Sequence, residues 1–155
     1  ALLDAMPKRS LRGFDVNLRS DYYSREVIEE SLRRTDILKC NEDELPVLCR
    51  MEGLRGSDPD EFNEFLRERG IFCFVYTEGA RQSSVWLNNE KSVLPTPHAE
   101  VADTVGAGDS FTATLVSQLM LGRSLPEAHR IAVNVSAFVC TQKGAMPEVP
   151  PELLK

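Results

Sequence analysis

The sequence has little of what marks several large functional classes. Only two histidines, His98 and His129, occur in 155 residues, and no Cys-x-x-Cys pair accompanies them, so no zinc-ligand spacing exists. The four cysteines, Cys40, Cys49, Cys73 and Cys140, lie scattered in apolar stretches such as Ile71-Phe72-Cys73-Phe74. They read as buried free thiols in a reducing environment. No run approaches the roughly 18 apolar residues of a membrane span and no signal-peptide pattern opens the chain, so a cytoplasmic protein with no membrane partner is expected. Positive charge is in deficit. Eighteen Lys and Arg face 24 Asp and Glu, a net charge of −6, which argues against nucleic acid as the main partner. A local anion site built from backbone N–H groups stays compatible with that balance.

What is present alternates short apolar runs with helical periodicity, the pattern of an α/β protein of one domain. Gly13-Phe14-Asp15-Val16-Asn17 reads as a strand, and Ser24 as the cap of a helix over about 25–34 with Val27, Ile28, Ser31 and Leu32 on one face. Asp36 to Cys40 reads as a second strand, and a helix is expected to start near Asn41, its onset blurred by Pro46. Asp58-Pro59 with Glu61 marks the next helix, whose apolar side is Phe62, Phe65 and Leu66 and whose stop is Gly70. Ile71–Tyr76 is apolar enough for a strand buried on both faces. Residues 83–95 read as a hairpin turning at Asn88-Asn89. Two long helices follow. One runs from about Gly106 to Leu121, burying Phe111, Leu115, Val116, Leu119 and Met120; the other starts at a Ser124–Glu127 capping box and buries Leu125, Ala128, Ala132, Val135 and Val139. The Pro-rich end, Met146 to Pro151, is expected to lie extended.

The densest chemical signal is Asp103-Thr104-Val105-Gly106-Ala107-Gly108-Asp109-Ser110-Phe111. Two glycines separated by Ala leave backbone N–H groups free to face an anion, and the periodicity from Phe111 puts them at a helix N-terminus. An acid beside an anion site repels it unless it has chemical work, and Asp109 fits a base for a hydroxyl that attacks a phosphate. The local string fits a plain tight turn with an N-terminal helix acid equally well. A Walker A loop is excluded because no Gly-Lys-Ser/Thr follows, and the dinucleotide fingerprint because Phe111 stands where its third glycine belongs.

The nine residues 103–111 resemble the C-terminal signature of the ribokinase/PfkB carbohydrate kinases almost letter for letter. Phe14-Asp15-Val16-Asn17-Leu18-Arg19, Asp36 to Leu45, Thr77-Glu78-Gly79 and Gln142 to Pro147 are similar to that family's other blocks, in the family's order. The resemblance implies the C-terminal half of a three-layer α/β/α sandwich, with a mostly parallel sheet and a β-hairpin. It implies ATP-dependent phosphorylation of a small sugar, fructose first, with Asp109 as base and the amides of Gly106, Ala107, Gly108 and Asp109 as anion hole. Asn41 and Glu44 match its N-x-x-E element, which organises Mg²⁺ and phosphate; taken alone they are a capping box. Thr77, Gly79, Asn134 and Gly144 fall at nucleotide-binding positions. Arg19 falls near the substrate, and Asp103 with the Val105 carbonyl falls at the K⁺ site some members use. The chain departs from the family at Gln82, where a second glycine is usual.

Members of that family are about twice this length, and Ala1-Leu2-Leu3-Asp4 reads as the last turn of a helix. The chain therefore reads as one nucleotide-binding domain lacking the N-terminal half and lid. Two further readings accompany the kinase one: a nucleotide-binding module without turnover, and an interaction domain whose open sheet edge pairs with another copy as a homodimer.

Overall fold

A computed structural model describes residues 3–19 and 22–155. Its strands form one five-stranded sheet in the order β1-β2-β3-β4-β5, a mixed sheet of parallel strands and a hairpin. The chain packs as two compact units, residues 1–77 with 86–89, and 78–85 with 90–155.

In the first unit β1 (Gly13–Asp15), β2 (Ile37–Asn41) and β3 (Cys73–Thr77) run parallel, with Asp15 opposite Lys39 and Asn41 opposite Thr77. Parallel neighbours need crossovers, and α1 (Arg25–Leu32), α2 (Leu45–Met51) and α3 (Pro59–Glu68) supply them. The Ser24 hydroxyl accepts from Val27 N and the Asp58 carboxylate from Asp60 N and Glu61 N, as their capping positions require. Phe74 anchors the core, with the Phe62 ring at 5.5 Å edge-on and the Trp86 ring stacked at 5.1 Å. The Trp86 Nε1–H donates to Asp60 Oδ1 at 2.9 Å, so the indole's polar edge is satisfied inside an apolar cluster. At the amino ends of β1 and β2, the Arg12 guanidinium donates twice to Asp36, each at 3.0 Å, and holds its carboxyl below the usual range. The expected face of α1 needs one change. Ile28 and Leu32 are buried, but Val27 faces solvent, because the helix ends at Leu32 and its buried stripe is only one residue wide per turn.

The second unit holds the two long helices and the hairpin apart from its tip, residues 86–89, which belong to the first unit. β4 (Gln82–Leu87) and β5 (Glu90–Pro95) meet at Asn88-Asn89, where Asn88 takes a φ of 54° that asparagine tolerates. α4 (Ala107–Met120) and α5 (Leu125–Cys140) form an antiparallel pair joined through Gly122 and the Ser124–Glu127 capping box. Met120 does not enter the core and is 72% exposed; Thr114 and Gln118 take the buried positions on that face instead. The tail is more than an extended strap. Pro151–Leu154 forms a 3₁₀ turn, and Val149 and Leu153 pack on Ile131, Val135 and Val139 of α5. His129 lies wholly buried among apolar residues, its ring nitrogens 2.8 Å from Ser83 Oγ and 2.8 Å from Ser92 Oγ, with Phe111 edge-on. Burial lowers its pKa to about 4, so the ring is neutral. Among the described residues, no helix is long and apolar enough to cross a membrane.

Candidate active site

In the second unit, a turn and a helix N-terminus carry the expected site residues 103–109. Asp103 Oδ1 accepts from Val105 N at 3.0 Å, an Asx turn that folds the chain back towards α4. Gly106 then takes a left-handed φ of 81° as the N-cap, with no side-chain cap bond. A Cβ there would lie 2.3 Å from the Ala145 carbonyl oxygen, so only glycine admits this approach. The first intrahelical bond of α4 is Ser110 N to Gly106 O at 2.9 Å. The amides from Gly106 to Asp109 therefore precede the helical ladder. Ala107 N donates back to Thr104 O at 3.3 Å, which leaves Gly106, Gly108 and Asp109 as the N–H groups with no acceptor in the helix. Asp109 sits at the third helical position with its side chain exposed.

The turn is braced from α5 and the loop after it. Ser136 Oγ donates to Ala107 O at 3.0 Å, and Ala102 N and Asp103 N both donate to Cys140 O. Asp103 Oδ2 accepts from Gly144 N at 3.3 Å, and the bonds from Val105 N and Gly144 N hold the Asp103 carboxyl below its ordinary range. The structure thus brings Asp103, Val105, Gly106, Asp109 and Gly144 together, while Asn134 lies half-buried further back on α5. Gly79 has a φ of 50° and its carbonyl accepts from Thr96 Oγ1 at 2.9 Å. The nearby departure at Gln82 is compensated locally. Gln82 Nε2 and Arg81 Nη2 donate to the two oxygens of the buried Glu78, at 2.6 and 2.7 Å, tying the turn without a second glycine.

In the first unit, Asn41, Glu44 and Thr77 gather at the carboxyl ends of β2 and β3, the edge where open α/β sheets bind ligands. Asn41 Oδ1 accepts from Glu44 N and Asp43 N, and Glu44 Oε2 accepts from Asn41 N, each at 2.9 Å. The pair makes the reciprocal bonds of a capping box, but they close the turn between β2 and α2: the helix starts at Leu45 and not near Asn41, and its N-cap is Glu44, with no side-chain cap bond. Glu44 is 7% exposed, and burial raises its pKa against the pull of Asn41 N–H and of Lys39. Its Oε1 also accepts from Leu18 N at 3.4 Å, which ties the loop carrying Arg19 to the same place. Arg19 itself is exposed and donates to Asn17 Oδ1 at 3.0 Å. Sequence reasoning assigned no role to Lys39 and Asp15. A lysine inside the apolar run Ile37-Leu38-Lys39-Cys40 was the available signal, and it pairs with Asp15 at 2.8 Å.

Among the described residues no three His, Cys, Asp or Glu side chains converge as a metal cage. Asn41, Glu44 and Asp15 are hard oxygen donors, and so few of them suit Mg²⁺, which keeps waters and takes its other ligands from substrate phosphates.

Residues 1–152 match the pfkB family carbohydrate kinases. The chain belongs to that family. A ribokinase from Arabidopsis thaliana is 30% identical over 78% of this chain and 32% of its own length. An E. coli protein described as a ribokinase II, solved with ATP and Mg²⁺, superposes with a TM-score of 0.72 at 26% identity, covering 88% of this chain and 44% of that one. Fructokinase from Vibrio cholerae O395, with fructose, ADP and calcium bound, gives 0.69 at 26% identity, over 86% of this chain and 46% of that one. This pfkB-family chain thus spans 32% to 46% of the length of these relatives, and its fold is the ribokinase-like α/β fold. The resemblance read from the motif blocks is confirmed at the level of family and fold.

Proposed function

We propose that this chain serves ATP-dependent phosphorylation of a primary hydroxyl on a small sugar, with fructose the first candidate. The observation that carries the reading is Asp109 at the third position of α4, one turn from the left-handed Gly106 and beside amides that have no helical acceptor. In the transfer the sugar oxygen forms a bond to the γ-phosphorus as the bond from that phosphorus to the β-bridging oxygen breaks, and ADP leaves with the bridging oxygen. Asp109 takes the hydroxyl proton. The amides of Gly106, Gly108 and Asp109 form the anion hole, while that of Ala107, expected to join it, donates to Thr104 O; the fixed dipole of α4 adds to the hole, and donors of this kind contribute about 3 kcal/mol each.

Thr77 and Gly79, at the end of β3 and in the turn after it, serve the nucleotide, as do Asn134 and Gly144. Arg19 serves the substrate. Asn41 and Glu44 would hold Mg²⁺ through water, since their own oxygens already accept backbone N–H groups. When bound with the nucleotide, that ion neutralises phosphate charge. Asp103 and the Val105 carbonyl would hold K⁺. Four free thiols and ATP as donor fit a cytoplasmic enzyme.

The test is ADP release by the chain with Mg-ATP and fructose, ribose, ketodeoxygluconate or adenosine. Release that depends on one of these acceptors supports the reading and names the class. Acceptor-independent release, or none, counts against it.

A further inference from the structure

Several serine and threonine hydroxyls of the helices turn back on their own backbone. Ser31 Oγ donates to Val27 O at 2.7 Å, Ser117 Oγ to Thr114 O at 2.9 Å and Thr112 Oγ1 to Gly108 O at 3.0 Å. Such bonds are the ordinary outcome for a hydroxyl inside a helix. Ser136 departs from it. Its hydroxyl leaves α5 and donates at 3.0 Å to the carbonyl of Ala107, 29 positions away at the start of α4. Ser110 Oγ reaches the same carbonyl at 2.9 Å. The helical ladder already assigns this oxygen a donor, the N–H of Phe111, so the bond from Ser136 is not needed to satisfy it.

That bond also acts on the other end of the same peptide. The peptide is planar and trans, so the Ala107 C=O and the Gly108 N–H are fixed in one plane, pointing opposite ways. The Gly108 N–H is one of the amides of this turn with no acceptor among the described residues, and Gly108 is exposed. With the left-handed Gly106 before it and Gly108 in it, the segment has more rotational freedom than most. A carbonyl tied to α5 holds the plane still. Each bond to that carbonyl also polarises the peptide and strengthens its N–H as a donor, by about 10–30%. The next peptide, which carries the Asp109 N–H, is held from within α4 by Thr112.

We infer that Ser136 is a positioning residue of the anion turn: by tying the Ala107 carbonyl to α5 it fixes and strengthens the Gly108 N–H as a donor to the transferred phosphoryl group. The phosphoryl partner rests on the kinase reading, whereas the hold on the peptide rests on the bond from Ser136.

The experiment is nuclear magnetic resonance of the full chain labelled with ¹⁵N-glycine, whose nine glycines include Gly108 as reporter and Gly106 as internal control. Without ligand, Ser136→Ala should move the Gly108 nitrogen resonance upfield, because its peptide carbonyl loses a donor, and leave Gly106 in place. Ser136→Thr, which keeps the hydroxyl, should leave Gly108 at its wild-type position. Ser136→Cys offers a weaker donor of nearly the same size and should move Gly108 the same way by less. Should Ser136→Ala disturb the packing of α5, seen as movement of the remaining glycines, the comparison of Cys with Thr carries the test. A non-hydrolysable ATP analogue with Mg²⁺ should then shift Gly106 and Gly108 together in the wild type. In Ser136→Ala the shift of Gly108 should be smaller and that of Gly106 unchanged. A Gly108 resonance that stays put in the Ala and Cys variants, or moves no more than Gly106, overturns the inference, as does an analogue-induced Gly108 shift equal in wild type and Ser136→Ala. If neither glycine responds to the analogue while Ser136→Ala still moves Gly108, the kinase reading has failed and the hold of Ser136 on the peptide stands.

Discussion

Replacing Gly106 with Ala tests whether the anion turn depends on a glycine at that point or merely contains one. Two costs follow from the geometry. The left-handed φ of 81° carries about 1–2 kcal/mol for any L side chain. The new Cβ would also meet the Ala145 carbonyl oxygen at 2.3 Å, its Cα at 2.9 Å and its carbonyl carbon at 3.0 Å. A comfortable carbon–oxygen approach is about 3.3 Å, so the overlap is about 1 Å. The obstacle is backbone, which no rotamer change relieves, and overpacking of this sort costs about 1–3 kcal/mol. Together the substitution should cost about 2–5 kcal/mol. Gly122→Ala is the matched control, with a φ of 83° and nothing within 4 Å of the added carbon, so it carries the backbone cost alone. Urea unfolding followed by circular dichroism gives both values. Gly106→Ala should exceed Gly122→Ala by at least 1 kcal/mol, or by about 2–4 °C in melting temperature for a chain of this size. Equal losses would refute the close approach of residue 145 to the turn.

Other outcomes follow from single features. His129 titrates near 4 in the fold and near 6.5 when unfolded, so the unfolded chain binds the extra proton first as pH falls. Stability should be complete above pH 6.5 and fall by up to about 3 kcal/mol towards pH 4, a loss that His129→Gln should remove from an acid-unfolding series. Asp58→Ala removes the acceptor for two N–H groups of α3 and should cost about 1 kcal/mol. Emission of the buried Trp86, which packs on the same core, reports it. Burial raises the thiol pKa of Cys49 to about 11 and of Cys73 to about 12, so at pH 8 a thiol reagent should label the half-exposed Cys140 well before either. Equal rates in native conditions would contradict that burial.

The sequence announced its elements wherever local chemistry decides them. Asp58-Pro59, Ser124–Glu127 and Asn88-Asn89 each set a cap or a turn that the fold keeps. The 103–109 turn was legible for the same reason, since its geometry follows from Asp103 and Gly106 in one short segment. What escaped depends on residues far apart in the chain. Lys39 lies in an apolar strand and drew no reading, and only the register with Asp15 gives it a partner. His129 is held by serines 46 and 37 positions away, which helical periodicity cannot indicate. Met120 sat at an apolar spacing on α4 yet points to solvent, while Gln118 is buried. Periodicity gives a stripe, and only the packed partner decides which edge of it is covered.

The most direct test of the central claim compares this chain with its Asp109→Asn variant for ADP release from Mg-ATP with and without fructose, beside equilibrium binding of a fluorescent ATP analogue. The account predicts acceptor-dependent release by the native chain, a loss of at least about 10²-fold in the variant, and nucleotide affinity equal in the two. Turnover that survives the substitution, or that never depends on a sugar, would contradict Asp109 as the base.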